Sequence, residues 1–290
     1  MHRIIDGTLY KRQSAPSGYA LSHRDLGHGH HEVALFPTYT WVEVGDLTPA
    51  ALADARMAAT CDFIDGEWVP RTRTQEMVMR AREAAAQRAR SNVRRRCKHL
   101  QLCELVTLTY RENMCDRDRL MRDFDVFMKR LRRLVPDLHY VAVAERQKRG
   151  AWHMHIAVPR VLSHYAYRGH LVRSYDLLRS LWRGIVGADN GNIDVARRRR
   201  VRGSLRRLAG YLSKYIGKAF ADDTRPAHIK AFTASRGKLP QATVVRLGVE
   251  SLTDAIDATW ELLGFELARG SMHHALVGRG IYWAAIDLPS

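Results

Sequence analysis

Residues His139–Pro159 read HYVAVAERQKRGAWHMHIAVP. Two apolar runs, His139–Arg146 and Ala151–Pro159, flank a polar turn at Lys148–Gly150. Both runs have the β-branched and aromatic content of strands, and so short a connection makes them an antiparallel hairpin. Side chains two apart on a strand share a face. His153 and His155 therefore present two imidazoles side by side, inside a hydrophobic frame of Trp152, Met154, Ile156 and Val158. Glu145 falls roughly opposite them on the partner strand. Facing the same side, it would complete a set of two histidines and one carboxylate, which can hold a divalent metal ion with positions open for water and a phosphate oxygen. An HxH pair alone is weak evidence in a chain with 14 histidines. The segment His28-Gly-His30-His31 contains another, in a Gly-containing, loop-like stretch, and reads as plain surface.

On either side of the hairpin the patterning is clear. Leu105–Tyr110 (LVTLTY) reads as a strand. Asp116–Val135 is an amphipathic helix with Leu120, Met121, Phe124, Phe127, Met128, Leu131 and Leu134 on one face. Its acids come early and its bases late, as the helix dipole prefers, and Pro136 stops it. Helices are expected at 174–186, Leu205–Phe220 and Ser251–Leu267, and a last strand at Gly280–Asp287. Residues 74–98 are rich in Ala, Arg, Gln and Glu, with a thin apolar stripe, and read as a solvent-facing helix. Nearer the start, loops are expected at Ser14–Gly18 and Gly27–His31, short strands at Val33–Phe36 and Tyr39–Val44, and a short helix at Leu47–Thr60.

A second constellation lies on the helix near residue 210: Tyr211-Leu-Ser-Lys214-Tyr215-Ile-Gly-Lys218. The tyrosines are one helical turn apart on one face, and each is followed three residues later by a lysine. A phenol titrates near 10 in isolation. A nearby ammonium group or metal ion favours the phenolate, which makes it a nucleophile. Tyrosyl attack on a phosphodiester would give a covalent phosphotyrosine and free a 3′-hydroxyl.

The whole chain has 47 Lys+Arg against 30 Asp+Glu, a formal charge of +17, and a pI near 10.2. Such a field points to a polyanionic partner, most often nucleic acid. The densest cluster is Arg197, Arg198, Arg199 and Arg200 with Arg202, Arg206 and Arg207, suited to phosphate contact. Apolar residues make up 46%, enough for a core. No run approaches the length of a membrane span. The first residues lack the apolar stretch of a secretory signal. Cys61, Cys97, Cys103 and Cys115 have neither a disulfide framework nor zinc spacing and read as free thiols.

Taken together, three motifs resemble the HUH endonucleases, in particular the two-tyrosine rolling-circle replication initiators of small single-stranded DNA phages and plasmids. They are the strand Val106–Tyr110, the strand His153-Met-His155 with Glu145 upstream, and the YxxKYxxK helix Tyr211–Lys218. The resemblance covers about residues 104–220, with Phe232–Leu239 as a further stretch. It implies an α+β fold, a central antiparallel sheet flanked by helices in ferredoxin/RRM-like style. It implies Mg²⁺ or Mn²⁺ held by His153, His155 and Glu145, Tyr211 and Tyr215 as nucleophiles, and Lys214 and Lys218 as their electrostatic support. The implied activity is site-specific nicking and rejoining of single-stranded origin DNA through a 5′-phosphotyrosine link, to start and end rolling-circle replication.

The corresponding division of the chain is an N-terminal extension over 1–73, a basic helical connector over 74–103, the endonuclease core over 104–235 and a C-terminal helix–strand extension over 236–290. No G-x-x-x-x-G-K-[ST] is present, so unwinding would fall to a host helicase. That favours the cytoplasm of a bacterial host, with a host polymerase extending the 3′ end. A transposase or relaxase would use the same chemistry. A non-catalytic DNA-binding protein would not need the paired tyrosines, and a phosphohydrolase without a covalent step would leave them unexplained.

Overall fold

The HMH strand and its partner form a hairpin at the expected place. In the computed structural model the chain runs β1 (His2–Ile5), β2 (Thr8–Arg12), β3 (Gly18–Asp25), β4 (His30–Thr38), β5 (Trp41–Asp46), α1 (Pro49–Ala58), β6 (Cys61–Ile64), β7 (Glu67–Pro70), α2 (Gln75–His99), β8 (Glu104–Tyr110), α3 (Arg117–Leu134), β9 (Val141–Arg146), β10 (Trp152–Val158), β11 (His164–Tyr167), β12 (His170–Arg173), α4 (Ser174–Val186), β13 (Gly191–Ala196), α5 (Ser204–Ala221), β14 (Thr233–Ala234), β15 (Thr243–Leu247), α6 (Leu252–Leu263), β16 (Ser271–Val277) and β17 (Ile281–Asp287). The structure describes residues 1–72, 74–196, 204–221, 229–265, 271–277 and 280–288, without the side chains of Ser204 and Arg206.

Two compact units result, Met1–Val78 with Pro240–Ser290, and Met79–Leu239. The second is built on one antiparallel sheet in the order β13-β8-β10-β9-β14. Its first four strands with α3 and α4 give a βαββαβ path, the ferredoxin-like arrangement. The hairpin turn closes with Gln147 N–H donating to the Ala151 carbonyl at 2.8 Å, and Gly150 at φ +91° supplies the left-handed residue.

Strand alternation gives the sheet two different faces. Val106 and Leu108 of β8, Ala142 of β9, and Met154, Ile156 and Val158 of β10 turn toward α3 and α4, where Phe127 and Trp182 are fully buried. Trp182 also donates its indole N–H to the Thr109 carbonyl at 2.9 Å, so its polar edge is satisfied. The Asp116 side chain caps α3 by accepting the Arg119 amide. On the other face, Leu105, Val141, Val143 and Ala157 pack against Leu208, Leu212 and Ile216 of α5. Val93 and Cys97 of α2 join this second core. The helix over 74–98 is therefore not solvent-facing throughout: its thin stripe suffices to bury its C-terminal half. Burial of each large apolar side chain contributes on the order of 1.5–3 kcal/mol.

The other unit carries a five-stranded antiparallel sheet, β15-β3-β4-β17-β16, with α6 against one face. Residues near both chain ends thus share one sheet. Strand β3 follows directly on the expected loop at Ser14–Gly18, and α6 stops at Leu263 because Gly264 turns left-handed at φ +56°. Small sheets β1-β2-β5 and β6-β7 complete the unit. Among the described residues no helix is long and apolar enough to cross a membrane.

Candidate functional site

Register and helix packing converge on one spot of the second unit. His153 pairs directly with Glu145 across the hairpin, and His155 pairs with Val143 on one side and Thr107 on the other. By alternation all of these side chains lie on the α5 face. The apolar stripe of α5, Leu208, Leu212 and Ile216, fixes the helix on that face and turns Tyr211 and Tyr215 toward β10. The ring of His155 stacks on Tyr215, with centroids 4.1 Å apart and planes at 12°. Tyr211 meets the same imidazole edge-on at 5.9 Å. The imidazoles and the phenols are therefore neighbours on one side of the sheet.

Polar contacts tie the cluster together. Glu145 accepts from His155 Nε2 at 2.8 Å through one oxygen and from Lys218 Nζ at 2.6 Å through the other. The Lys218 ammonium also lies 5.2 Å from the Tyr215 ring centroid. Tyr215 donates its hydroxyl proton to the Tyr211 oxygen. Burial alone would push the Glu145 carboxyl up, but the hydrogen bonds from His155 and Lys218, with their charges, outweigh it and hold the carboxyl below its ordinary range. Burial pushes the Tyr215 phenol well above 10, and its bond to Tyr211 and the charge of Glu145 act in the same direction. Burial lowers the pKa of His153, so its neutral form is favoured.

Two further residues belong to the cluster and are not singled out by sequence reasoning. Thr107 Oγ1 lies 3.2 Å from His155 Nδ1, and Gln147 Nε2 lies 3.2 Å from His153 Nδ1. Arg149 in turn donates to Gln147 Oε1. Each fixes the ring its partner presents, because the bond at one imidazole nitrogen sets what the other can do. The polar residue at the centre of LVTLTY is the available signal for Thr107; a glutamine in a turn gives none.

The remaining expected residues are placed differently. Lys214 is exposed on α5. Arg197, Arg198, Arg199, Arg200 and Arg202, and the side chain of Arg206, lie outside the described residues, and Arg207 is exposed on α5. His30 and His31 are not plain surface. They open β4, where His30 meets Asp287 at 2.8 Å and His31 stacks with His23. The four cysteines are free thiols.

The donor chemistry of the cluster suits a divalent cation. His153 Nε2 is buried with no hydrogen-bond partner, the orphan expected of a nitrogen that serves as a ligand. His155 Nε2 and Glu145 Oε2 are engaged with each other, and holding an ion between them requires that bond to open. In this arrangement no group of three or more His, Cys, Asp and Glu is poised around a common point among the described residues.

Residues 103–220 match a family model described as that of a replication-associated protein, ORF2 type. The matched stretch runs from β8 to the end of the YxxKYxxK helix and so contains the whole cluster. This likeness is consistent with a part in replication. No curated protein and no solved structure matches the chain.

Proposed function

We propose that this protein nicks and rejoins single-stranded DNA through a tyrosine nucleophile, to start and end rolling-circle replication. The observation that carries the reading is the packing of Tyr211 and Tyr215 against His155 on one sheet face, with Glu145, His153 and Lys218 in the same cluster. The replication-associated family match over the same residues supports it.

The two phenols are not equivalent. Tyr215 is 7% exposed, stacked on an imidazole and held protonated. It donates to Tyr211, which is the less buried of the two. Tyr211 is therefore the phenol placed to attack first, and the Tyr215 hydroxyl stabilises negative charge on its oxygen. Lys218 brings positive charge beside both. In the step itself the Tyr211 oxygen bonds to phosphorus, the bond from phosphorus to the 3′ oxygen breaks, and that oxygen leaves as a hydroxyl after taking a proton. The link keeps the phosphodiester's energy for rejoining. Glu145, His153 and His155 would hold Mg²⁺ or Mn²⁺, which supplies Lewis-acid stabilisation of charge on the scissile phosphate. Gln147 and Thr107 orient the two imidazoles.

The test uses labelled single-stranded fragments tiling the DNA that flanks the gene, incubated with the protein and Mn²⁺ and run on a denaturing gel. A protein–DNA adduct that survives denaturation, slowed by Tyr211→Phe and abolished when Tyr215→Phe is added, is expected. Cleavage without protein-linked DNA would make the protein a hydrolase and overturn the reading.

A further inference from the structure

Beside the cluster, on the open side of the hairpin, lies a cavity of about 690 Å³. This is within the range of roughly 300–1,000 Å³ found for small-ligand sites. It exists because β14 pairs with β9 only at Val141 and Ala142, so the edge of β9 beyond that point is uncovered by it. Small residues on that stretch, Ala142 and Ala144, leave the space, and Met154, Trp152 and Phe232 supply apolar walls. The Trp152 indole is held by its N–H bond to the Cys115 carbonyl at 3.2 Å, so the ring is a fixed platform.

The rim has the opposite character. Arg117, Arg146, Lys148, Lys218 and Lys230 border the cavity, and Glu145 is the one acidic residue lining it among the described residues. The Glu145 charge is already engaged with Lys218. An apolar, aromatic-walled pocket ringed by cations suits a ligand with a flat apolar part and a phosphate, which is a nucleotide of a single strand. Tyr215 and Lys218 line this cavity as well as the cluster, so a strand seated in it passes the reacting groups.

We infer that this cavity takes an unpaired base next to the scissile phosphate, stacked on Trp152, while Arg146, Lys148 and Lys230 hold the neighbouring phosphates. The inference rests on the nicking function proposed above. It assigns Trp152 and Ala144 as positioning residues that set which stretch of strand is presented.

Binding measured by fluorescence anisotropy tests it without any cleavage. The probes are a labelled oligothymidylate of about 12 nucleotides and an abasic sugar–phosphate oligomer of equal length. The intact wild-type chain is expected to bind the thymidylate at least about tenfold more tightly than the abasic strand. Trp152→Ala and the cavity-filling Ala144→Leu should each remove that preference and leave abasic binding unchanged, whereas Trp152→Phe should keep most of it. Thermal unfolding identifies any variant that fails to fold, and the Trp152→Ala and Trp152→Phe pair reads the same question if Ala144→Leu does. Equal binding of both probes by the wild type, or an equal loss for both probes in the variants, overturns the inference. The denaturing-gel adduct is a separate readout: adduct formation with no base preference sinks the pocket alone, and base preference with no adduct sinks the nicking chemistry alone.

Discussion

Replacing Glu145 with glutamine keeps the shape of the side chain and removes its charge. The Glu145 side chain is 10% exposed and accepts from His155 at 2.8 Å, whereas its second partner, Lys218, is 51% exposed. A hydrogen bond to a buried charged acceptor is worth about 1.5–3 kcal/mol and a neutral one about 1, so the His155 contact weakens by about 1–2 kcal/mol. The Lys218 contact is half solvated and adds at most about 1 kcal/mol. Removing a buried charge gives some of this back. The net cost is then about 1–2 kcal/mol, a fall in the thermal midpoint of about 2–6 °C for a unit of this size. The effect on chemistry should be larger. Even residues one bond removed from a metal set its affinity by about 10–100-fold, so adduct formation by Glu145→Gln at low Mn²⁺ should fall by about 100-fold and recover partly as Mn²⁺ rises. A variant with the lower midpoint but wild-type adduct rate and Mn²⁺ dependence would show that Glu145 is only a structural acceptor. An unchanged midpoint would refute the hydrogen-bond argument itself.

Other consequences can be checked without DNA. A Cβ at Gly191 would meet Val186 Cγ2 at 2.9 Å and Trp182 Cδ1 at 3.0 Å, and Trp182 is fully buried. Gly191→Ala should therefore cost about 1–3 kcal/mol by overpacking, read by chemical denaturation. Burial lowers the pKa of His23 and of His31 from the ordinary 6.5, with Asp25 opposing it at both. Their folded values lie below the unfolded one, so this contribution to stability is complete above about 6.5 and is lost as pH falls toward the folded values. Thermal midpoints should drop between pH 7.5 and 5.5, and less so in a His23→Gln/His31→Gln double variant; an equal drop in both would be the contrary result. The Cys97 thiol is fully buried and pushed up to about 12. Iodoacetamide at pH 8 should therefore label exposed Cys115 in the native protein and reach Cys97 only after unfolding, as peptide mapping would show.

Much of the second unit is readable in the sequence because its signals are local. The alternation on either side of Lys148–Gly150 places Glu145 opposite His153, and the helical spacing of Leu120 to Leu134 defines α3. The helix reading of Tyr211–Lys218 places the phenols one turn apart. What alternation cannot supply is which helix covers which sheet face. That depends on Leu208, Leu212 and Ile216 meeting Val141 and Val143 some 70 positions away. Thr107 and Gln147 stay hidden because a single polar residue in a strand or turn has no periodicity. The other unit is harder. Strand β3 pairs with β15, and β4 with β17, across more than two hundred residues. No local pattern announces a partner that distant, and the glycines around His28 suggest a loop where His30 and His31 already belong to a strand.

That pairing has a consequence for synthesis. A nascent chain leaves the ribosome from its amino end, so β3 and β4 emerge long before β15, β16 and β17, and must wait for the whole intervening unit. Met79–Leu239 draws all its strands from one continuous stretch and can collapse while translation continues. A message truncated just after Leu239 would yield a chain whose tyrosine-bearing part has every strand of its sheet, beside an orphaned two-stranded remnant exposing bare edges. Such products should be prone to clump and be cleared by cellular proteases, so the accumulation of finished protein would depend on the last fifty or so codons.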